Sequence, residues 1–291
     1  MTELLSLKKI LVVRTDRIGD VILTTPALRA LRRSFPEAEI SILTARATED
    51  LVKGNPDIDV FLVDDRAGRH KGLTGFWRLV REVKACGFDA VINFHTKRRT
   101  NLLCFLAGIP RRIGYKNNKF GFLLTDRVKD DRPQGMKHEA QYCLDLLGTL
   151  GVDGGETALF LPVREEEERW AGDFMEKCRA ANPGSKSVAL HLGASCPTKR
   201  WPLSYFADLI QMIAARGPVF FVVLGTGEHS GMARNLSQQT APAVFYDLTG
   251  KTSLARTVSV LKRCDLLVSS DSGPVHIAAA FNRPVVSIFT R

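Results

Sequence analysis

The 291-residue sequence predicts an α/β protein built from two Rossmann-like halves in tandem. Short apolar runs rich in Val and Ile alternate with helical patterns along most of the chain. Such runs are typical of parallel strands covered on both faces, and their alternation with helices indicates βαβ units around open sheets. The alternation pauses once, near the middle of the chain, and then resumes.

The strands follow this pattern in both halves. In the first half we predict strands at residues 8–14, 38–44, 59–64, 88–94 and 111–115, with a helix over 75–87. In the second half we predict strands at 187–193, 218–225, 243–248, 264–270 and 284–289, with a helix over 203–215.

The pause between the two series, residues 149–170, holds a Gly-rich turn, one short strand and a charged helix start. We place the domain boundary within 160–185 and divide the chain into domains 1–165 and 166–291. Because only two residues follow the last predicted strand, we expect the second domain to be truncated at its C-terminus.

Composition places few limits on function. The chain is 45% hydrophobic and 25% charged, which argues against disorder. No apolar run approaches the roughly 20 residues of a membrane helix, and the N-terminus lacks a secretory signal, so we expect a cytoplasmic protein. The six cysteines form no CxxC motif, which disfavours zinc and iron–sulfur sites.

Positive charge is concentrated in the first half. Of the formal net charge of +10, residues 97–137 supply eleven Lys and Arg against three Asp and Glu, and a second basic cluster lies at 66–71. A basic surface attracts nucleic acid, an anionic membrane or a phosphorylated substrate, although a solvated loop would look the same. Few aromatic residues are interleaved and no nucleic-acid module is present, so we expect no nucleic-acid partner.

The loop after the first strand, in "VVRTDRIGDVILTTP", carries one glycine, Gly19, and then Asp20. A dinucleotide-binding turn would hold several glycines here. A carboxylate at this position could instead accept a proton from an acceptor hydroxyl. The alternative is that Asp20 caps the helix that follows.

Loops in the second half favour a diphosphate. In "HLGASCPTKRWP", Gly193, Ala194 and Ser195 leave room for a phosphate and Lys199 supplies charge, although the Walker A spacing is absent. In "SSDSGPVHIAAAF", residues 269–281, a helix starts near Ser272 or Gly273, with Asp271 before it and His276 in its first turn. A free helix N-terminus binds anions, and an ordinary capped helix is the alternative.

A third loop, "LGTGEHSG" at residues 224–231, has its glycines one residue too far apart for the dinucleotide fingerprint. We predict that Glu228, or less favourably His229, lies near a ribose hydroxyl pair.

These four stretches, in their order and spacing along the chain, make the sequence similar to glycosyltransferase family 9, the lipopolysaccharide heptosyltransferase family. The resemblance implies a GT-B fold, with two Rossmann-like domains whose parallel sheets face a central cleft. It implies an ADP-sugar donor, no required metal or other cofactor, and an acidic lipid A–Kdo core acceptor. Contact of the protein with the inner membrane surface would then be peripheral.

The resemblance also assigns roles to residues. It implies a catalytic base at Asp20 and a catalytic lysine at Lys199. Donor binding falls to Gly19, Ala194, Ser195, Glu228, Asp271, Ser272, Gly273 and His276. Acceptor binding falls, by region rather than by position, to Arg66, Arg69, Lys71, Lys97, Arg98 and Arg99.

The predicted function is therefore inverting transfer of a heptose or related sugar from an ADP-sugar to the lipopolysaccharide inner core. Two alternatives stay open: a non-catalytic protein that binds a nucleotide or an anionic glycolipid, and a nicotinamide oxidoreductase. The second lacks the glycine fingerprint in its first turn.

Overall fold

The structure is a computed structural model that describes residues 7–194 and 196–289. It divides the chain into two compact units, Met1–Pro162 and Val163–Arg291. Each unit contains its own parallel sheet, with α-helices in most of the connections between successive strands.

The first unit has a six-stranded sheet in the order β3-β2-β1-β4-β5-β6. Its strands are β1 (Lys9–Arg14), β2 (Glu39–Ala45), β3 (Val60–Asp64), β4 (Ala90–Asn93), β5 (Arg111–Tyr115) and β6 (Asp126–Val128). Its helices are α1 (Ile18–Ile22), α2 (Thr25–Ser34), α3 (Gly72–Ala85), α4 (Arg98–Leu106) and α5 (Glu139–Leu147).

The second unit has a five-stranded sheet in the order β11-β10-β7-β8-β9. Its strands are β7 (Lys186–His191), β8 (Val219–Leu224), β9 (Val244–Asp247), β10 (Leu266–Ser270) and β11 (Val285–Ile288). Its helices are α6 (Glu165–Ala181), α7 (Leu203–Ala214), α8 (Ser230–Gln239), α9 (Leu254–Arg263) and α10 (Gly273–Ala280).

The central strands explain why the sheets form. In β1 the run Ile10–Val13 is completely buried, because the strand pairs with β2 on one side and β4 on the other. Strand β7 has the same place in the second sheet, between β8 and β10. Successive strands are added on one side of β1 or β7 and then on the other side, so the strand order reverses there. Ligands of open α/β sheets bind at the carboxyl ends of the strands at this point.

The ten strands predicted with bounds are confirmed, with ends within two residues of the predicted ones. The short strand predicted within 149–170 is wrong, because residues 153–158 are exposed and pair with neither sheet. Helix α3 begins at Gly72, three residues earlier than predicted. Strand β6 was not predicted, because it is three residues long, charged and at the sheet edge, where no apolar run is needed. In the described part of the chain, no helix combines the length and apolar character needed to span a bilayer.

Candidate functional site

Asp20 lies just beyond the carboxyl end of β1, in the first turn of the short helix α1. The N-cap of that helix is Arg17, so the interpretation of Asp20 as a helix cap is wrong. Its carboxylate is about one-third exposed, at 34%, and its Oδ1 lies 3.1 Å from Nη2 of Arg14. Gly19, beside it, is buried in the same helix. Asp20 is therefore both accessible and held by a cation.

Arg14, the last residue of β1, is the least expected feature of this region, since its side chain is only 1% exposed. Its Nη2 donates a hydrogen bond to Oε1 of Glu139 at 2.9 Å, and its Nε lies 3.1 Å from Oδ1 of Asp16. One buried guanidinium thus faces three carboxylates, counting Asp20. We call Arg14, Asp16, Asp20 and Glu139 the arginine centre. A charge buried this deeply is stable only with such partners.

Burial alters proton affinities around this centre. It raises the pKa of Asp16 to about 6, against the opposing effect of Arg14. Burial, and then the charge of Arg14, lower the pKa of His95 to about 4, so its ring is neutral at pH 7. The His95 Nδ1 lies 2.9 Å from the Thr15 hydroxyl, which follows Arg14 in the chain.

Two of the predicted acceptor residues meet on a buried carboxylate. Asp64, at the end of β3, accepts hydrogen bonds from Arg66 Nε at 2.7 Å and from Arg99 Nη2 at 2.9 Å. Although burial opposes it, Arg99 and Arg66 hold the pKa of Asp64 below its ordinary value. Arg66 Nη2 also donates to the Thr15 hydroxyl at 3.1 Å, which ties this pair to the end of β1.

The other four predicted acceptor residues do not join them. Arg69 is exposed and forms an ion pair with Glu82. Lys71 precedes α3, and Lys97 precedes α4. The charge of the neighbouring Lys119 lowers the pKa of Lys97.

The remaining residue, Arg98, lies over the Phe120 ring at 5.9 Å. The six basic residues therefore lie in the loop before α3 and at the start of α4, and of these six Arg66 and Arg99 share a carboxylate partner.

In the second unit, Lys199 and Asp271 come together although 72 residues separate them. Lys199 ends a short 3-10 helix after β7, and Asp271 follows β10. The Lys199 ammonium donates a hydrogen bond to the Asp271 carboxylate, and both side chains are partly exposed. Strands β7 and β10 are neighbours, so the sheet itself brings the two loops together.

Ser272 is the N-cap residue of α10, but its hydroxyl does not cap the helix. The expectation of a side-chain cap there is wrong, because the hydroxyl lies 3.0 Å from Nδ1 of His191 and 2.9 Å from the Ser269 hydroxyl. Burial, together with the nearby His229, lowers the pKa of His191 to about 4. The start of α10 is therefore fixed by a neutral hydrogen-bond network, while Gly273 is the first helical residue.

His229 is buried against the backbone of two glycines. A Cβ on Gly193 would lie 2.4 Å from its ring, and a Cβ on Gly225 would lie 2.7 Å from its Nδ1. These positions require glycine because the imidazole fills the space. With His229 only 8% exposed, Glu228, which is exposed, is the member of the pair that can reach a ligand.

Two further predicted donor residues lie near these loops. Ala194 is half-buried after β7, and His276 is half-buried in the first turn of α10. Ser195 lies outside the described residues. Within 7–194 and 196–289, no group of three or more His, Cys, Asp and Glu side chains could hold a metal ion. The expectation that no metal is required stays a prediction.

Comparison with known proteins decides the family. Residues 76–291 match the profile of glycosyltransferase family 9 (heptosyltransferase). The chain belongs to glycosyltransferase family 9. The predicted resemblance and the prediction of a glycosyltransferase are thereby confirmed.

Relatives of this family 9 glycosyltransferase match nearly the whole chain. Lipopolysaccharide heptosyltransferase 3 of Escherichia coli is 26% identical, over 93% of this chain and 80% of the relative. Lipopolysaccharide heptosyltransferase 2 of Escherichia coli K12 is 25% identical, over 97% of this chain and 82% of the relative.

Solved structures agree with this assignment. The crystal structure of a family 9 glycosyl transferase from Veillonella parvula DSM 2008 is 30% identical with a TM-score of 0.85, covering 96% of this chain and 80% of that one. The structure of Escherichia coli ADP-heptose LPS heptosyltransferase II is 22% identical with a TM-score of 0.76, covering 97% and 84%. The GT-B fold class predicted for the family 9 chain is confirmed.

Proposed function

We propose that this glycosyltransferase transfers a heptose, or a related sugar, from an ADP-sugar to an acidic acceptor of the lipopolysaccharide inner core, with inversion at the anomeric carbon. The observation that carries the proposal is an accessible carboxylate, Asp20, held by a buried arginine at the carboxyl end of β1. The relatives named as lipopolysaccharide heptosyltransferases support the sugar and the acceptor.

In the proposed reaction the second unit binds the donor diphosphate. Lys199 supplies positive charge, and the start of α10 at Gly273 supplies backbone N–H groups and the positive end of a helix dipole. Charge that develops on the departing diphosphate is stabilised electrostatically by such donors. The adenine preference is supported by a solved structure of similar fold, Escherichia coli heptosyltransferase WaaC with ADP-2-deoxy-2-fluoro heptose, 18% identical with a TM-score of 0.72.

The first unit supplies the acceptor chemistry. Asp20 takes the proton of an acceptor hydroxyl, whose oxygen forms a bond to the anomeric carbon. The bond from that carbon to the diphosphate oxygen breaks, and its electron pair leaves with ADP. A single displacement of this kind inverts the anomeric centre. The exposed basic residues near this end, including Lys97 and Arg98, suit a phosphorylated acceptor.

We propose that an apolar surface on the same unit makes the peripheral contact with an anionic membrane, consistent with a cytoplasmic enzyme. Phe105, Phe120 and Phe122 are exposed, and Phe120 and Phe122 contact each other edge to face at 5.9 Å. Arg98 and Arg112 lie over the rings of Phe120 and Phe105, at 5.9 and 5.5 Å. Aromatic residues flanked by cations are typical of segments that bind anionic bilayer surfaces.

The donor proposal is tested by calorimetric titration with ADP, GDP and UDP, followed by assay of sugar transfer from the ADP-sugar. We expect the protein to prefer ADP, and Lys199→Ala to weaken ADP binding about tenfold or more because a charged contact to the diphosphate is lost. The matched control is Lys186→Ala, an exposed lysine at the opposite end of β7, which should leave ADP affinity unchanged.

The other outcomes are equally informative. Preference for UDP or GDP would contradict the adenine nucleotide. ADP binding without sugar turnover would favour the non-catalytic binding protein over the enzyme.

A further inference from the structure

The arginine centre contains more carboxylates than one catalytic base needs. Arg14 Nη2 has two hydrogens, and two carboxylates lie beside it: Glu139 Oε1 at 2.9 Å and Asp20 Oδ1 at 3.1 Å. Glu139 is 125 residues away in sequence and is the first residue of α5. Glu139 thus contacts Arg14, the partner of the proposed base Asp20, although the two are distant in sequence. This contact suggests a functional role for Glu139.

We infer that Glu139 is a positioning residue that, through Arg14, sets how readily Asp20 accepts a proton, an inference that rests on the proposed role of Asp20 as the base. A guanidinium paired with Asp20 alone would strongly favour the ionised carboxylate and make it a weak base. By taking part of the charge of Arg14, Glu139 restores the basicity of Asp20. The negative charge of Glu139 also raises the basicity of Asp20, because it disfavours a second negative charge nearby.

The surroundings make this coupling strong. Arg14 is 1% exposed, whereas Asp20 and Glu139 are 34% and 23% exposed, so water screens these pairs at the carboxylates and not at the guanidinium. Its Nη1 also donates to the Phe94 carbonyl, which fixes the guanidinium plane. A guanidinium held in this way cannot swing to follow one carboxylate, so the charge of each acid is felt by the other.

Other charged groups near the centre act on the same equilibrium. Arg132 Nη1 lies 3.7 Å from Glu139 Oε1, but Arg132 is paired with Asp130 at 2.7 Å and stacks on the Tyr115 ring at 3.9 Å. On the far side of Arg14, Asp16 adds a carboxylate 3.1 Å from its Nε.

The remaining neighbours contribute little charge at pH 7. His95, on the β4 side, is neutral because burial and Arg14 lower its pKa to about 4. The Cys143 thiol near Arg14 is also neutral, because burial raises its pKa to about 12. Glu139 is therefore the charged acid that shares a nitrogen of Arg14 with Asp20.

The test is the pH dependence of kcat/KM for the acceptor in Glu139→Gln, measured at saturating donor. The amide keeps the size and an acceptor oxygen but removes the charge. We expect the acid limb of the profile to move down by about one pH unit and the plateau to fall roughly three- to tenfold, because Asp20 becomes a weaker base. Affinity for ADP should not change.

Two further variants serve as controls. Asp145→Asn removes an equal charge from the same helix, where Asp145 is paired with Lys137 at the surface, and should leave the profile unmoved. Glu139→Asp keeps the charge on a shorter side chain, so its acid limb should stay at the wild-type pH even if the rate falls. A purely structural role for Glu139 would lower activity in both Glu139 variants without moving either limb.

The outcomes separate this inference from the proposed function. If Asp20→Asn keeps wild-type activity, Asp20 is not the base and both ideas fail. If Asp20→Asn is inactive but Glu139→Gln has the wild-type acid limb, only the inference about Glu139 is overturned. Should Glu139→Gln not fold, Glu139→Met, which has a similar size and no charge, is measured instead, and an unmoved limb in that variant overturns the inference.

Discussion

The two units place their candidate residues at the same structural position but with opposite chemistry. At the carboxyl end of β1, a buried guanidinium is surrounded by carboxylates. At the carboxyl end of β7, the buried groups are neutral: His191 bonds to serine hydroxyls, and His229 packs on glycine backbone. In the second unit the charged pair, Lys199 with Asp271, lies at the surface.

The difference follows from what each end is proposed to handle. A base must change its protonation state during the reaction, so charges close to it set its proton affinity. A diphosphate is already charged, so it needs space for close approach and N–H or cationic groups fixed in advance. In the proposed reaction, two sheets of similar topology would thus supply one end adapted to proton transfer and one adapted to anion binding.

The largest expected effect is on turnover in Asp20→Asn. Removal of the proposed base should lower kcat about 10²- to 10⁴-fold, while ADP affinity stays at the wild-type value because the proposed donor site lies in the other unit. Initial rates and calorimetry on the same preparation measure both. Parallel losses of rate and ADP affinity would contradict the division of roles between the units.

The next largest effect is expected on stability in Asp64→Asn. The change leaves Arg66 and Arg99 facing a neutral amide at a buried position, which should destabilise the first unit by roughly 2–4 kcal/mol. Urea unfolding followed by fluorescence of Trp77, on α3, measures it.

The control for this prediction is Arg46→Gln in the same unit, which breaks the ion pair between the solvent-exposed Arg46 and Glu49 and should cost less than about 1 kcal/mol. Equal losses of stability in the two variants would mean that the buried Asp64 pairs stabilise the unit no more than an exposed ion pair does.

A smaller effect is expected from Gly193→Ala in the second unit. The added methyl would lie 2.4 Å from the His229 ring and should destabilise the unit by roughly 1–3 kcal/mol as the ring is displaced. The control, Gly231→Ala in α8, meets no heavy atom within 4 Å and should be neutral or slightly stabilising. Unfolding followed at Trp201 reports on both, and a neutral Gly193→Ala would show that the tight packing is not required.

The smallest expected effect is the loss of stability of the second unit at acidic pH. The folded pKa of His191 is about 4, below the ordinary value of 6.5, so its stabilising contribution is present above pH 6.5 and is lost as pH falls toward 4. At pH 5 the loss should be roughly 1–2 kcal/mol. His229, whose pKa burial also lowers, adds to it.

The first unit should respond less to acid. His95 behaves like His191, but the folded pKa of Asp16 is raised to about 6, so its contribution is lost as pH rises from about 4 to 6 and the two partly cancel. Urea unfolding at pH 7.5 and pH 5, followed in single-tryptophan variants that keep Trp77 or Trp201, should show the larger loss at Trp201. Equal losses at both probes would contradict the proposed difference in buried chemistry.

Sequence reasoning succeeded where the signal is local. The apolar runs around Ile10–Val13 and in the other long strands specify buried parallel strands, because only such runs can cover both faces of a sheet. It missed β6, whose sequence Asp126–Val128 has no apolar pattern. The position of Asp20 after β1 could also be predicted from the sequence, since it depends only on one strand and one loop.

The residues that position the candidate site could not be predicted from the sequence, because their partners are far away in the chain. Glu139 meets Arg14 across 125 positions, and Ser272 meets His191 across 81. Nothing in the local sequence of α5 shows that its first residue meets an arginine at the end of β1. For Arg14 a weak signal existed: a charged residue that ends an apolar strand must find a partner.

The spacing of Arg14 and Glu139 also bears on the order of folding during synthesis. All the pairing partners of β1 to β6 lie between Lys9 and Val128, so the first sheet can be completed before the second unit leaves the ribosome. The buried guanidinium nevertheless lacks its closest acid until residue 139 has emerged and α5 has formed. The nascent unit can thus form its sheet first, and docking of α5 then adds Glu139 to Asp16 and Asp20, which already lie beside the buried guanidinium.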